Sequence, residues 1–393
     1  MLKFRVEYYD NDDQKKLSAL SCAHKINDIV HNGASIPEQD LFAYSVFREQ
    51  KFHQGWHTYK ELVRLLPSRI EMFEDYFEVS NGKIISKFTN SDDTDTRVTE
   101  SAGIGASLSL VSQFYGLIEA DWEKIPVSPV KDLDFQVAAT EKEIVEIEAK
   151  GAITENTLLK SEVSQRATHI REKKVAQRET QNNANTLIGV IVSIPKRKEQ
   201  DVVCRLLDPD GEDLGISPEK YKLLARLHFY YREIRTVSRS HFLIALINRI
   251  IEIQNVQEYQ NLSQVPLLNI DGEPFDIPSS LRISRSVAGN DFAFGEIVPL
   301  GNNEFYYYGF VFSIVNLLLK QNFSAIMRYS EVPRDLGELR IVASIRKSEL
   351  ESFGIGKDDL PKITGNYYHF EMRGILSVTS AGRVIGRCRF INR

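Results

Sequence analysis

The sequence predicts a mixed α/β protein, and three stretches predict it. Leu133, Phe135 and Val137 alternate with Asp132, Asp134 and Gln136, the period of two of a strand that buries one face. Ile104, Leu108, Val111, Tyr115 and Ile118 recur at spacings of four and three, the stripe of an amphipathic helix. Thr186 to Ile194, TLIGVIVSI, is a largely apolar run ended by Pro195, which suits a strand covered on both faces.

The remaining elements follow in chain order. Met1 to Asp10, MLKFRVEYYD, reads as a strand and has no apolar core of a secretory signal. Tyr59 to Phe77 reads as helix, with Pro67 expected to kink or split it. The acidic stretch Asn90 to Thr96 reads as a solvated linker, because it lacks the glycine and glutamate of a calcium loop. The stripe above then places a helix over Glu100 to Ile118, weakened by Gly103 and Gly105, which permit close packing on a sheet. Lys131 to Ala139 is a strand, Thr140 to Glu143 a turn, and Ile144 to Lys150 a second strand that Gly151 breaks. A long charged helix covers about Glu155 to Gln181. After the apolar strand come a basic cluster (Lys196, Arg197, Lys198), a turn at Asp208 to Gly211, helix from Pro218 to about Gln260, and a strand-rich final region.

With 393 residues, 42% of them hydrophobic and 26% charged, the chain can bury a sizeable core and divides into more than one domain. The expected division is an N-terminal α+β domain over 1–90, a core over 97–200, and a C-terminal α+β region over 201–393. The longest apolar run, Gly309 to Leu319, is far shorter than the ~20 residues of a spanning helix, so no membrane partner and a cytoplasmic setting are expected. Cys22, Cys204 and Cys388 form no CxxC pair and are expected as free thiols. A net charge of −5 gives no global attraction to nucleic acid, so such binding must come from a local basic face or from a partner protein subunit.

The two alternating strands carry the chemistry. Asp132, Asp134 and Gln136 share one face of the first; Glu146, Glu148 and Lys150 share one face of the second. A short turn pairs them as a hairpin, so an Asp, a Glu and a Lys converge. Two carboxylates can hold Mg²⁺ or Mn²⁺, which polarises a phosphoryl oxygen and lowers the pKa of a bound water. A neighbouring lysine can orient that water and stabilise developing negative charge.

The order of these elements resembles the PD-(D/E)xK nuclease superfamily over about residues 97–194: an acid opening a helix (Glu100), Asp134 in a strand, Glu148-x-Lys150 in the next, then a helix and a buried strand. The resemblance implies a restriction-endonuclease-like core sheet flanked by helices. It implies Asp134 and Glu148 as metal ligands and Lys150 as the catalytic lysine, with Glu100 as the optional acid. Gln165 is the candidate polar residue of the following helix, where Ser161, Gln165 and His169 sit four apart on one face. No proline precedes Asp134, and Asp132 is an alternative first acid. Glu146 reads either as a second-site ligand or as a solvated neighbour. The mixed charges of the helix, among them Lys160, Arg166, Arg171, Lys173 and Lys174, read either as a solvated face or as phosphate contacts.

The expectation is a Mg²⁺-dependent endonuclease acting on nucleic acid, with DNA preferred, of the kind used in bacterial restriction or anti-phage defence. The rival is an inactive nuclease-like scaffold or a nucleic-acid-binding subunit of a larger complex, and homo-oligomers fit either. The pair His53 and His57 has no apparent third ligand, and Phe305 to Tyr308 reads as strand packing, not as a base-stacking platform.

Overall fold

The computed structural model describes residues 1–48, 58–87, 96–125, 133–140, 143–180, 186–207, 217–256, 258–276, 285–287, 292–301, 304–346, 363–364 and 367–390. The chain is mixed α/β and forms two compact units, residues 1–55 with 69–222 and residues 56–68 with 223–393. The expected boundaries near 90–97 and 200 are therefore corrected. The first strand is hydrogen-bonded into the sheet that holds the candidate site, so the N-terminal region is no separate domain.

In the first unit, β1 (Leu2–Tyr8), β2 (Ala34–Ile36), β5 (Glu123–Lys124), β6 (Phe135–Ala138), β7 (Ile144–Thr154), β8 (Thr186–Pro195) and β9 (Val202–Leu207) form one sheet in the order β2-β1-β9-β8-β7-β6-β5. A small hairpin pairs β3 (Phe77–Ser80) with β4 (Lys83–Ser86). The pairs β1/β9 and β7/β8 are parallel, and the other neighbours in the large sheet are antiparallel. The helices of this part of the chain are α1 (Asn11–Leu17), α2 (Ala23–Asn32), α3 (Glu38–Phe47), α4 (Tyr59–Tyr76), α5 (Thr96–Tyr115) and α6 (Ser164–Thr180).

Strand β8 is buried along nearly its whole length, as its apolar run predicts. Helix α5 departs from its predicted stripe. It is enclosed nearly all round, Ser107, Ser109 and Ser112 included, because Ala102, Gly103, Gly105 and Ala106 let neighbouring elements close on it. Gly151 does not end β7, which continues to Thr154. A Cβ at Gly151 would lie 1.9 Å from the Thr99 carbonyl oxygen, so glycine is required there by close approach. Helix α4 runs through Pro67 as one element instead of splitting.

Successive residues of β7 face opposite sides of the sheet. Gly151 meets Gly103 of α5 on one side. On the other, Ala152 packs with Val163, Ala167 and Ile170 of the segment leading into and forming α6, and with Ile191 of β8. The two helices thus cover opposite faces, and α6 covers the face that carries Glu148 and Lys150.

In the second unit, α7 (Pro218–Val237, beginning in the first unit), α8 (Phe242–Asn255), α9 (Phe312–Leu319) and α10 (Phe323–Arg328) accompany an antiparallel sheet. Its strands are β10 (Arg285–Val287), β11 (Ala293–Gly301), β12 (Glu304–Val311), β13 (Arg334–Arg346), β14 (Ile363–Thr364), β15 (Tyr367–Val378) and β16 (Arg383–Phe390). Pairings run β10–β11–β12–β16–β15–β13 and return to β10, so six strands close a ring and satisfy their edges. The region is helical and then strand-rich as predicted. Phe305, Tyr306, Tyr307 and Tyr308 are buried in β12, in keeping with packing.

Among the described residues, no helix is long and apolar enough to cross a membrane. All three cysteines are free and buried, and burial pushes the thiols of Cys22, Cys204 and Cys388 up to about 11, 12 and 12.

Candidate active site

The site forms where β6 and β7 pair. Phe135 lies opposite Ile147 and Gln136 opposite Glu146, and the same register extended by one residue sets Asp134 opposite Glu148. Asp134 sits in the bend just before β6, where its N–H donates to Ile147 O (2.9 Å) and its Oδ2 accepts from Ala149 N–H (3.2 Å). The carboxylate is thereby held against β7. Two residues beyond Glu148 on the same face, Lys150 places its Nζ 2.5 Å from Glu148 Oε1. Asp134, Glu148 and Lys150 therefore gather in one small volume.

A fourth charged group joins them. Lys173 of α6 lies 2.7 Å from Glu148 Oε1, 2.9 Å from Oε2 and 3.9 Å from Asp134 Oδ1. Sequence reasoning left it among the mixed charges of the helix. A signal was present: Val163, Ala167 and Ile170 mark the inward stripe, and three residues beyond Ile170 comes Lys173. Ser161, Gln165 and His169 are instead on the exposed side. Gln165 makes no side-chain hydrogen bond among the described residues and precedes Lys173 by two turns, roughly 12 Å along the axis. The structure thus does not bring Gln165 to the cluster.

The polar face of the hairpin is not open to solvent. Glu148 is fully enclosed (0% exposed), whereas Asp134 retains 29% and Lys150 18% exposure. The cause is α6, which packs over this face. Burial, with Asp134 nearby, raises the Glu148 carboxyl above its ordinary range, although Lys150 and Lys173 pull the other way. Burial alone would lower the Lys150 ammonium, but Glu148, Asp134 and then Glu100 carry it above the ordinary lysine value. Glu100, half-buried near the start of α5, is thus electrically part of the site.

Glu146 is buried opposite Gln136, so it is not a solvated neighbour. Asp132, the alternative first acid, lies outside the described residues, as do the acidic stretch at 90–95, the histidines at 53 and 57, and the turn at 208–211. In the basic cluster, Lys196 pairs with Glu155 and Lys198 with Glu78.

The donor set can be tested against a divalent ion. Among the described residues no group of three or more His, Cys, Asp or Glu side chains converges as a ligand set. Two carboxylates do converge, and Mg²⁺ is commonly held by one or two carboxylates with waters and substrate phosphate completing the shell. Glu148 Oε1 is buried and has two ammonium groups at ion-pair distance but no aligned hydrogen bond. An acceptor oxygen in that condition fits a cation. No protein-family model, no curated protein and no solved structure matches the chain.

Proposed function

We propose that the chain is a Mg²⁺- or Mn²⁺-dependent endonuclease that hydrolyses phosphodiester bonds, with DNA as the substrate. The observation that carries this reading is the convergence of Asp134, Glu148 and Lys150 on one face of the β6–β7 hairpin. The chain order supports it: α5 with Glu100, β6 after Asp134, β7 with Glu148-x-Lys150, α6, then the buried β8 parallel to β7. That is the order in which the PD-(D/E)xK resemblance places its acids and lysine.

Asp134 and Glu148 would hold the ion, which when bound neutralises phosphate charge and makes a water nucleophilic. Lys150, held by Glu148, presents a positive charge to the phosphate oxygen on which negative charge grows. Glu148 and Asp134, with a smaller contribution from Glu100, favour the protonated form of that ammonium. Helix α6 excludes bulk water from the inner wall, which strengthens each of these interactions. A role in bacterial restriction or anti-phage defence, acting alone, as a homo-oligomer or with a partner subunit, is carried by the family likeness alone.

The test is direct. Purified protein should nick or linearise supercoiled plasmid in Mg²⁺ or Mn²⁺, stop in chelator, and lose activity in Lys150→Ala; single-stranded RNA serves as the competing substrate. Cleavage that survives Lys150→Ala would refute the assignment.

One observation favours a second reading. The complete enclosure of Glu148 between two lysines also suits a structural ion-pair network in an inactive nuclease-like scaffold or nucleic-acid-binding subunit. Mn²⁺ binding separates the two, because a purely structural network would bind none.

A further inference from the structure

The charges at the hairpin cancel. Asp134 and Glu148 supply two negative charges, and Lys150 and Lys173 supply two positive ones. The lysines are not equivalent. Lys150 lies on β7 and, among the described residues, forms an ion pair with Glu148 alone, at 2.5 Å. Lys173 reaches both acids: 2.7 and 2.9 Å to the Glu148 oxygens and 3.9 Å to Asp134 Oδ1. An ammonium that straddles both carboxylates stands where a divalent ion shared by them would have to stand.

The two lysines also sit on different elements. The Lys150 backbone is held in register on β8, opposite Ile191. Lys173 projects from α6, the helix that covers the site, and its side chain is 16% exposed, so a route to solvent exists for it as it does for Lys150.

We infer that Lys173 is the resident counter-ion of this site, filling the cation position at rest, and that a divalent ion binds by displacing its ammonium group. This inference rests on the metal-dependent reading above. Its physical basis is charge balance. With Lys173 in place the two carboxylates that would hold the ion are balanced by two ammonium groups, which weakens their attraction for a dication. Once the ion has entered, the four side chains and the ion together carry surplus positive charge, which an anionic phosphodiester neutralises. Metal and phosphodiester therefore strengthen each other's binding, reciprocally. The displaced ammonium becomes a second donor to a phosphate oxygen beside Lys150.

Calorimetric Mn²⁺ titration of the full chain tests this. The comparison is between wild type, Lys173→Gln and Lys173→Arg, with Glu148→Gln locating the heat at this site. Lys173→Met, which retains the apolar stem, is titrated alongside in case the glutamine variant folds poorly. The expected result is that the neutral variants bind Mn²⁺ about tenfold tighter or more, while Lys173→Arg does not tighten. In wild type a phosphorothioate DNA oligonucleotide should raise Mn²⁺ affinity. Unchanged or weaker Mn²⁺ binding in the neutral variants, with wild-type binding intact, overturns displacement and leaves the metal reading standing. Absence of Mn²⁺ binding in wild type and neutral variants alike overturns both.

Discussion

Gly103 of α5 and Gly151 of β7 face each other with no side chain between them: a Cβ built on Gly103 would lie 2.4 Å from the Gly151 nitrogen. Helix and strand touch backbone to backbone, one residue beyond Lys150. This approach fixes the distance at which α5 holds Glu100 relative to the hairpin. Gly151→Ala would force its new methyl into the Thr99 carbonyl, so the helix must shift. Overpacking of this kind costs about 3 kcal/mol, the upper part of its usual range. Urea denaturation should show that loss, and an alanine variant of wild-type stability would mean the helix does not lie on the strand as described.

In the second unit, Glu233 is buried with Arg383 Nη1 3.1 Å from its Oε2, and Tyr308 donates a hydrogen bond to the same oxygen. Burial alone would raise this carboxyl, but Arg383 and Arg232 outweigh it and hold it down at about 2. A carboxyl whose folded pKa is depressed contributes stability that is complete above its unfolded pKa and is lost as pH falls toward the folded one. The second unit should therefore lose about 3 kcal/mol of stability between the ordinary glutamate range and pH ~2. Glu233→Gln should remove most of that acid dependence. Melting curves across this window check it, and a variant with an undiminished acid slope would exclude Glu233 as the source.

Much of this was legible in the sequence, and the misses have physical causes. Period-two alternation located Asp134, Glu148 and Lys150 on matching strand faces, since backbone geometry alone decides side-chain direction in a strand. The apolar run at Thr186 marks a doubly covered strand because nearly every side chain in it is apolar, and its one fully buried hydroxyl, Ser193, accepts a hydrogen bond from Arg205. Gly151 was misread because a glycine that breaks a strand and one that admits a helix look identical in sequence. The enclosure of Glu148 is not legible in the sequence because its covering helix, α6, is highly charged. With the turn before it, that helix buries a narrow stripe, Val163, Ala167 and Ile170; Arg171 and Glu172 are exposed, while Lys173 and Lys174 turn inward. The pairing of β1 with β9 joins residues some 200 apart in the chain, beyond the reach of any local pattern.

The two polar candidates on α6 should separate cleanly. Gln165 is exposed and two turns from the carboxylates, whereas Lys173 touches both. Gln165→Ala should leave cleavage within about threefold of wild type, the scale on which surface substitutions act. Cleavage rates under single-turnover conditions decide the matter. A hundredfold loss on Gln165→Ala would restore it to the site and require α6 to turn when substrate binds.

Glu148 and Lys150 should both be needed for cleavage yet differ in what they do to the fold. On the proposed nuclease reading each would supply an electrostatic group at the reacting phosphate, and loss of one such group typically costs ~10²–10³ in rate. Their burial sets the difference. Glu148 is fully enclosed and neutralises two ammonium groups, so Glu148→Gln leaves Lys150 and Lys173 facing each other without a carboxylate between them. Breaking a buried pair by removing one partner is costly, and since both lysines are partly exposed about 2 kcal/mol is the expected loss. Lys150→Ala leaves Glu148 still paired with Lys173 at 2.7 Å, so its cost should be smaller, about 1 kcal/mol. Both variants should therefore be inactive, with Glu148→Gln melting lower than Lys150→Ala. Equal melting temperatures would mean that the carboxylate is not enclosed as the packing of α6 requires. Retained cleavage in either variant would show that phosphodiester hydrolysis, if present, is carried elsewhere in the chain.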